Sequence, residues 1–431
     1  MTYQECIEWL EGVSLYGKKD GLANMLQLME EFGNPQEKIP VIHVAGTNGK
    51  GTTCALLNRI LMETGRRTGM YTSPHLVRYT ERIRVNDQEI AQEDFARIGT
   101  SVRAAAEKME SEGKLHPTFF QLLTAIAFLY FAEQGAEIIV LEVGVGGRLD
   151  ATNIISKPLL CVIASVSLDH TKVLGSTIPE IAAEKAGILK SGCPVVMAHN
   201  RPEAAQVIRA RAQELHCPLY EADGLSCEVL RSDETGISIR CGDLLAETSL
   251  CGDYQVQNLK TALTVCQVLK FPKEAVESGV RKTHWNGRMQ WIHNEEHADL
   301  LLEGAHNEEG AQALGLWCRR HLQERDVTLI FSALRKKDVR SVLRALLTDT
   351  PVRRIIFARM QDSAGMEEEE FLQLAGDFAQ SREIFTAPSA GQALELAYGK
   401  TRKNNGIIVC AGSLYLVGEM LALLERKDSD V

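Results

Sequence analysis

The sequence predicts an α/β protein: a P-loop-containing, mostly parallel, doubly wound sheet with a small antiparallel excursion, followed by a second, smaller Rossmann-like α/β domain. Three observations carry this. Continuous apolar runs, Ile138 to Val143 and Leu159 to Val166 among them, read as strands covered on both faces. Helical patterns alternate with them, as at 93–112 and 202–215, which is the rhythm of a parallel sheet. The run Val41 to Ala45 passes through Gly46-Thr47-Asn48-Gly49-Lys50-Gly51-Thr52 directly into a helical stripe of Leu56, Leu57, Ile60 and Leu61.

A chain of 431 residues holds two or three domains, and 45% hydrophobic with 24% charged residues is ordinary for a soluble protein with a full core. The formal charge, 47 − 57 = −10, disfavours nucleic acid as the main partner. The eleven cysteines are scattered, without C-x-x-C or zinc spacing, and most, such as Cys161 and Cys410 in apolar runs, read as small core residues in a reducing compartment. Met1 to Glu5 lacks a basic or apolar leader and no apolar run reaches spanning length. The expectation is a cytoplasmic monomer that acts on small molecules, not on nucleic acid or membrane.

In chain order, residues 3–32 read as helical with a break at Gly17–Asp20. Residues 67–71 read as a strand, and Thr118 to Gln134 as a helix apolar nearly all round. Pro179 to Lys190 has proline in its first turn and Gly192 beyond its end. Residues 219–250 turn short and polar, the mark of the antiparallel excursion, before a helix at 256–269. Asn294-Glu295-Glu296-His297 is the expected linker, dividing a larger domain at 1–293 from a smaller α/β domain at 298–431. In the latter, strands are expected near 299–303, 327–332, 354–358 and 407–410.

Either this is an ordinary glycine-rich βα turn, or glycines at 46, 49 and 51 let the backbone approach an anion that helix N–H groups face and to which Lys50 adds a point charge. The strict P-loop pattern fails twice: Val44 replaces its first glycine and Gly51 its metal-binding hydroxyl, moving that hydroxyl to Thr52. Glu142 ends a strand downstream, where a carboxylate either serves Mg²⁺ beside a triphosphate or simply marks the strand end. In the following loop, Arg148 and Asp150 either hold a substrate or belong to a solvated turn. Ser73 and His170 both follow strand-like runs; a lone loop histidine is a metal ligand or merely hydrogen-bonded. Lys185 stands on an apolar stripe with Ile178, Ile181, Ala182, Ile188 and Leu189. Such a lysine snorkels, pairs, or loses its proton and reacts, for instance with CO₂ to give an anionic carbamate. Glu303, His306 and Asn307 follow an apolar run; they face a ligand between the domains, or Asn307 only caps a helix.

Together these stretches resemble the folylpolyglutamate synthase/dihydrofolate synthase family of ATP-dependent amide ligases, which includes the Mur ligases. The resemblance is carried by Gly46–Thr52, Tyr71–Leu76 (YTSPHL), Glu81-Arg82-Ile83, Thr118–Ala125 (TFFQLLTA), Leu141–Asn153 (LEVGVGGRLDATN), Leu168–Thr171, Glu184–Ile188, Asn258, Gly287-Arg288, Gly304–Asn307 (GAHN) and Gly412–Leu416. It implies that ATP phosphorylates a carboxylate of dihydropteroate or a folate. The amine of L-glutamate then attacks the acyl phosphate, and the adduct collapses to an amide and phosphate.

The resemblance also implies residue roles. Gly46, Thr47, Asn48, Gly49, Lys50, Gly51, Thr52, Asn258, Arg288 and Glu303 serve ATP. Ser73 and Glu142 hold a first Mg²⁺; His170 and a carbamylated Lys185 serve a second. Lys50, Lys185 and His306 are catalytic. Arg82, Thr118, Phe119, Phe120, Gln121, Leu149, Asp150 and Ala151 hold the pterin-bearing substrate. Two positions depart from the family's common pattern: Glu303 replaces aspartate before GAHN, and Gln121 stands where glutamate is frequent. The first changes the carboxylate's reach; the second removes a charge and leaves the choice between dihydropteroate and folates open.

Overall fold

The computed structural model describes residues 1–13, 21–362, 364–376, 378 and 382–429. The expected break at Gly17–Asp20 lies outside them; on either side stand the helices Tyr3–Gly12 and Ala23–Glu30. The chain forms two compact units. One comprises 1–228, 240–247 and 257–283; the other comprises 229–239, 248–256 and 284–431.

The first unit is built on eight strands: β1 Val41–Ala45, β2 Thr68–Tyr71, β3 Ile83–Val85, β4 Gln88–Glu89, β5 Ile138–Glu142, β6 Leu160–Ile163, β7 Val195–Met197 and β8 Leu219–Glu221. Their order is β4-β3-β2-β5-β1-β6-β7-β8. All neighbours are parallel except at the β2-β3-β4 edge. Every residue of β1, β5 and β6 is buried, the reason these runs do not alternate. The helix Phe119–Glu133 is likewise buried on most sides, and its apolar residues join those of Gln92–Ser111 in one core. Register places Val44 beside Glu142 and Ala45 beside Ile163. The loops after β1, β5 and β6 therefore leave side by side at the strands' C-terminal edge, where open α/β sheets hold ligands.

One helix is shorter than its periodicity predicts. The pattern from Pro179 runs to Lys190, but the helix is Ile178–Ala186 and Gly187 caps it. A Cβ at Gly187 would overlap the Arg148 side chain, so the turn is fixed by a close crossing with the loop after β5. Along the chain between the two α/β stretches, β9 Glu228–Asp233, β10 Gly236–Cys241 and β11 Leu244–Thr248 form a three-stranded sheet in sequence order. Its two-residue connections require antiparallel pairing. A disulfide joins Cys227 to Cys241 across this meander, a pairing that the cysteine spacing did not reveal; the nine free cysteines are all buried.

The second unit carries a six-stranded sheet in the order β12-β13-β17-β14-β15-β16. The strands are β12 Gln290–Ile292, β13 Asp299–Leu302, β14 Asp326–Phe331, β15 Val352–Ala358, β16 Glu383–Ala387 and β17 Gly406–Ala411. The stretch expected as a linker is instead the hairpin connection between antiparallel β12 and β13. Asn294 Oδ1 accepts the N–H groups of Glu296 and His297 there. Polar turn residues serve linkers and hairpins alike, so composition did not separate them. β12 and β16 also escaped the sequence reading: β12 is short, and Glu383–Ala387 is mostly half-buried with a charged first residue.

Candidate active site

Gly49, at φ 83°, ends the loop after β1 and caps the helix Lys50–Glu63, so the first helical N–H groups open onto the loop. Two contacts fix the loop's path. A Cβ at Gly46 would lie 2.7 Å from that of Ala164, and one at Gly49 would overlap Asn258 Oδ1. The loop is tied to the segment after β6: Thr47 N–H donates to Ser165 O at 2.6 Å, and Thr47 Oγ1 to Ser167 O at 3.1 Å. Asn48 bridges Ser165. Thr52 is buried within the first helical turn and Gly51 precedes it.

Three charged groups converge on this loop. Lys50 Nζ donates to Thr47 O at 3.2 Å and lies 3.8 Å from Glu142 Oε1. Glu142, buried at the end of β5, accepts the Ser73 N–H at 3.2 Å through its other oxygen. Lys185 Nζ donates to Gly46 O at 2.7 Å. Lys185 is buried, as its place on the apolar stripe predicts, and does not snorkel. Burial first and the Lys50 charge second bring its pKa down to about 7, against the pull of Asp169 and Asp150. His170 stands in left-handed conformation beside Asp169, whose Oδ1 accepts the His170 N–H at 2.7 Å.

The loop after β5 is braced from within. Asp150 is buried; Oδ2 accepts Val145 N–H at 3.0 Å, and Oδ1 accepts both the N–H and the hydroxyl of Thr152. Arg148 pairs with Glu184 at 2.8 Å. These two therefore shape the loop, while Leu149 between them is exposed and Ala151 is buried. Thr152 extends the brace to His43 on β1, whose Nε2 lies 2.9 Å from Thr152 Oγ1. His43 was missed in the sequence, although a histidine inside a buried strand is itself a signal.

At the neighbouring edge, Arg82 Nε donates to His75 Nδ1 at 2.9 Å and its guanidinium lies 5.6 Å from the Tyr79 ring centre. Burial, with Arg82 beside it, pushes His75 down to about 3, which keeps it the acceptor. Phe119 meets Tyr79 edge-on and Phe120 packs on Tyr71. Gln121 forms a capping box with Thr118 and a reciprocal amide pair with Asn24, both bonds 2.9 Å.

In the second unit, Glu303 follows β13 and is buried. Oε2 accepts from Tyr254 Oη at 2.6 Å and from Met289 N at 2.9 Å; Oε1 lies 3.5 Å from Arg288 Nη1. His306 Nδ1 is 2.9 Å from Gly304 O, and Asn307 caps the helix Glu308–His321 by accepting Gly310 N–H.

The Mur ligase middle domain model matches residues 44–266, and the model for the C-terminal domain of dihydrofolate synthetase matches 288–423. With the glycine-rich loop at the sheet edge, these define the class: an ATP-dependent ligase of the Mur type. Dihydrofolate synthase/folylpolyglutamate synthase of Bacillus subtilis is 35% identical, across 97% of this chain and 98% of that protein. Dihydrofolate synthetase of Saccharomyces cerevisiae is 33% identical, across 94% and 97%. Mycobacterium tuberculosis folylpolyglutamate synthase complexed with ADP and AMPPCP superposes with TM-score 0.88 at 26% identity over 98% of each chain. E. coli FolC in complex with DHPP and ADP gives 0.87 at 28% over 99% of each. The chain belongs to the dihydrofolate synthase/folylpolyglutamate synthase family.

Proposed function

We propose that this enzyme adds L-glutamate to dihydropteroate, to reduced folates, or to both, through an acyl phosphate made with ATP. The convergence of Lys50, Glu142 and Lys185 on the loop 46–49 supports this most directly. A carboxylate is a poor electrophile, and phosphorylation supplies a leaving group. The helix N–H groups and Lys50 hold the transferring phosphoryl group and stabilise its charge.

The donor set fits Mg²⁺. Among the described residues no three His, Cys, Asp or Glu side chains gather into a metal-holding group. Mg²⁺ needs no such cage, binding through one or two carboxylates with substrate phosphates and water. Ser73 and Glu142 would hold one ion. His170 and Lys185 would hold another, Lys185 as its carbamate, whose negative charge beside Asp169 and Asp150 a cation would balance. Mg²⁺ supplies charge neutralisation at the phosphates. Arg82 and the Phe119–Phe120 pair offer the pterin-bearing substrate a cation and aromatic faces. Asn258, Arg288, Glu303 and His306 serve the nucleotide in this reading. The nine free, buried thiols favour a reducing, cytoplasmic setting, against which the single Cys227–Cys241 disulfide stands, and we read the working form as a monomer.

Purified protein with Mg-ATP, L-glutamate and each pterin in turn tests the proposal. Glutamate-dependent phosphate release with at least one pterin is expected; release with none overturns it. A cell-wall precursor as the only accepted acid would move the enzyme to another branch of the same fold.

A further inference from the structure

We propose that Tyr254 and Glu303 form a brace that sets Arg288, making Tyr254 a positioning residue for nucleotide binding. The inference rests on the reading of Arg288 as a nucleotide contact.

Arg288 sits between two residues in left-handed backbone conformation, Gly287 at φ 70° and Met289 at φ 47°. The second is unusual for a side chain as bulky as methionine and must be held by its surroundings. What holds it is Glu303, whose Oε2 accepts the Met289 N–H. Gly287 is fixed on the other side: its carbonyl accepts Gly304 N–H at 2.9 Å, and its N–H donates to Gln290 Oε1 at 2.8 Å. The guanidinium then crosses Gly304 so closely that a Cβ there would stand 2.7 Å from Arg288 Nη1. The same carboxylate thus fixes both the backbone and, at 3.5 Å, the side chain of Arg288.

Tyr254 completes this arrangement. A buried carboxylate must have its lone pairs satisfied, and Oε2 takes two donors, the Met289 N–H and the Tyr254 hydroxyl. Burial and the facing carboxylate push the phenol well above its ordinary 10, so it remains a donor at any working pH. Through its two oxygens the one Glu303 carboxylate meets Tyr254, Met289 and Arg288 together. Without the hydroxyl, the carboxylate turns toward its remaining strong donor and draws the guanidinium inward, away from a ligand.

The test measures Mg-ADP affinity of the full chain by calorimetry, with the KM values for ATP and glutamate. Tyr254→Phe should weaken ADP binding and raise the KM for ATP about tenfold, the scale of one charge-assisted hydrogen bond. The KM for glutamate and the rate at saturating ATP should stay unchanged. In an Arg288→Ala background, which itself weakens ADP binding, Tyr254→Phe should add nothing; a merely structural role would lower affinity equally in both backgrounds. Should Tyr254→Phe fold poorly, Glu303→Asp keeps the charge, shortens the reach and should likewise weaken ADP binding, again adding nothing in the Arg288→Ala background. Unchanged affinity in Tyr254→Phe beside a loss in Arg288→Ala overturns the brace. Unchanged affinity in Arg288→Ala overturns the reading beneath it and the brace with it.

Discussion

Lys185 gives a hydrogen bond to the carbonyl of Gly46 at 2.7 Å, joining the helix after β6 to the first glycine of the phosphate loop. A fully protonated ammonium would be costly at so buried a place, and its pKa of about 7 leaves a large neutral fraction near neutrality. Only the neutral amine combines with CO₂. The folded value lies below the ordinary 10.5, so the unfolded chain holds the proton more tightly. The lysine's destabilising effect is full below about pH 7 and disappears as pH rises to 10.5. Lys185→Ala should therefore leave the melting temperature at pH 7 unchanged or higher while lowering kcat at least ~100-fold, the scale for a lost metal ligand set. Wild-type activity should fall in CO₂-depleted buffer and return with bicarbonate, whereas the variant should not respond. Wild-type-like turnover in Lys185→Ala would sink the carbamate.

Gly49 is the second point of leverage. Its φ of 83° suits glycine, and a Cβ would strike Asn258 Oδ1. Gly49→Ala should thus displace both the helix cap and Asn258. A rise in the Kd for Mg-ADP of about tenfold or more is expected, with backbone strain and lost contacts of roughly 1–3 kcal/mol behind it. Calorimetry checks this; unaltered affinity would mean that the loop's path is not what binds the nucleotide.

His43 brings a pH dependence of stability. Thr152 Oγ1 donates to Asp150 at 2.6 Å, so His43 Nε2 carries the proton it shares with Thr152, and the buried Nδ1 has no partner among the described residues. Burial, then the nearby Lys190 charge, hold the imidazole at about 3, below its ordinary 6.5. The unfolded chain therefore takes up a proton as pH falls through 6.5 while the folded chain resists until about 3, and stability drops across that window. Between pH 6.5 and 5 this one group accounts for about 2 kcal/mol. His43→Gln should lose correspondingly less stability than wild type when urea unfolding is compared at pH 7 and pH 5. Parallel losses in the two proteins would place the effect elsewhere, with His75 the next group to test.

Much of this was legible in the sequence, and for physical reasons. The strands β1, β5 and β6 are continuous apolar runs because both faces are covered, and the glycine-rich loop marks the turn that follows. Lys185 declared itself as a cation on an apolar stripe. Periodicity reads only neighbours on one element, so pairings across elements stayed hidden. Asp150 and Arg148 look like substrate ligands in a polar loop; the pattern did not show that Thr152 and Glu184 also engage them and brace that loop. Tyr254 lies 49 residues from Glu303, and no local pattern links them. The hairpin at 294–297 reads as a linker because polar turn residues serve both, and the pairing of β12 and β13 on either side of it leaves no local mark.

Gln121 is the position where sequence and structure differ most in emphasis. Its missing charge leaves the choice of pterin open, and its amide is engaged by the protein itself. Oε1 accepts from Asn24 Nδ2 and from Thr118 N–H, and Nε2 donates to Asn24 Oδ1. Asn24 cannot simply reverse to suit a carboxylate, because its Oδ1 also accepts Met25 N–H at 3.1 Å. In Gln121→Glu one carboxylate oxygen would face that acceptor in a buried site. The variant should lose about 1–3 kcal/mol, and melt lower by about 2–4 °C for each kcal/mol. The ratio of kcat/KM between dihydropteroate and tetrahydrofolate should stay as in wild type. A shifted ratio with unchanged melting would give Gln121 back to the substrate and remove the amide pair from the account of this helix.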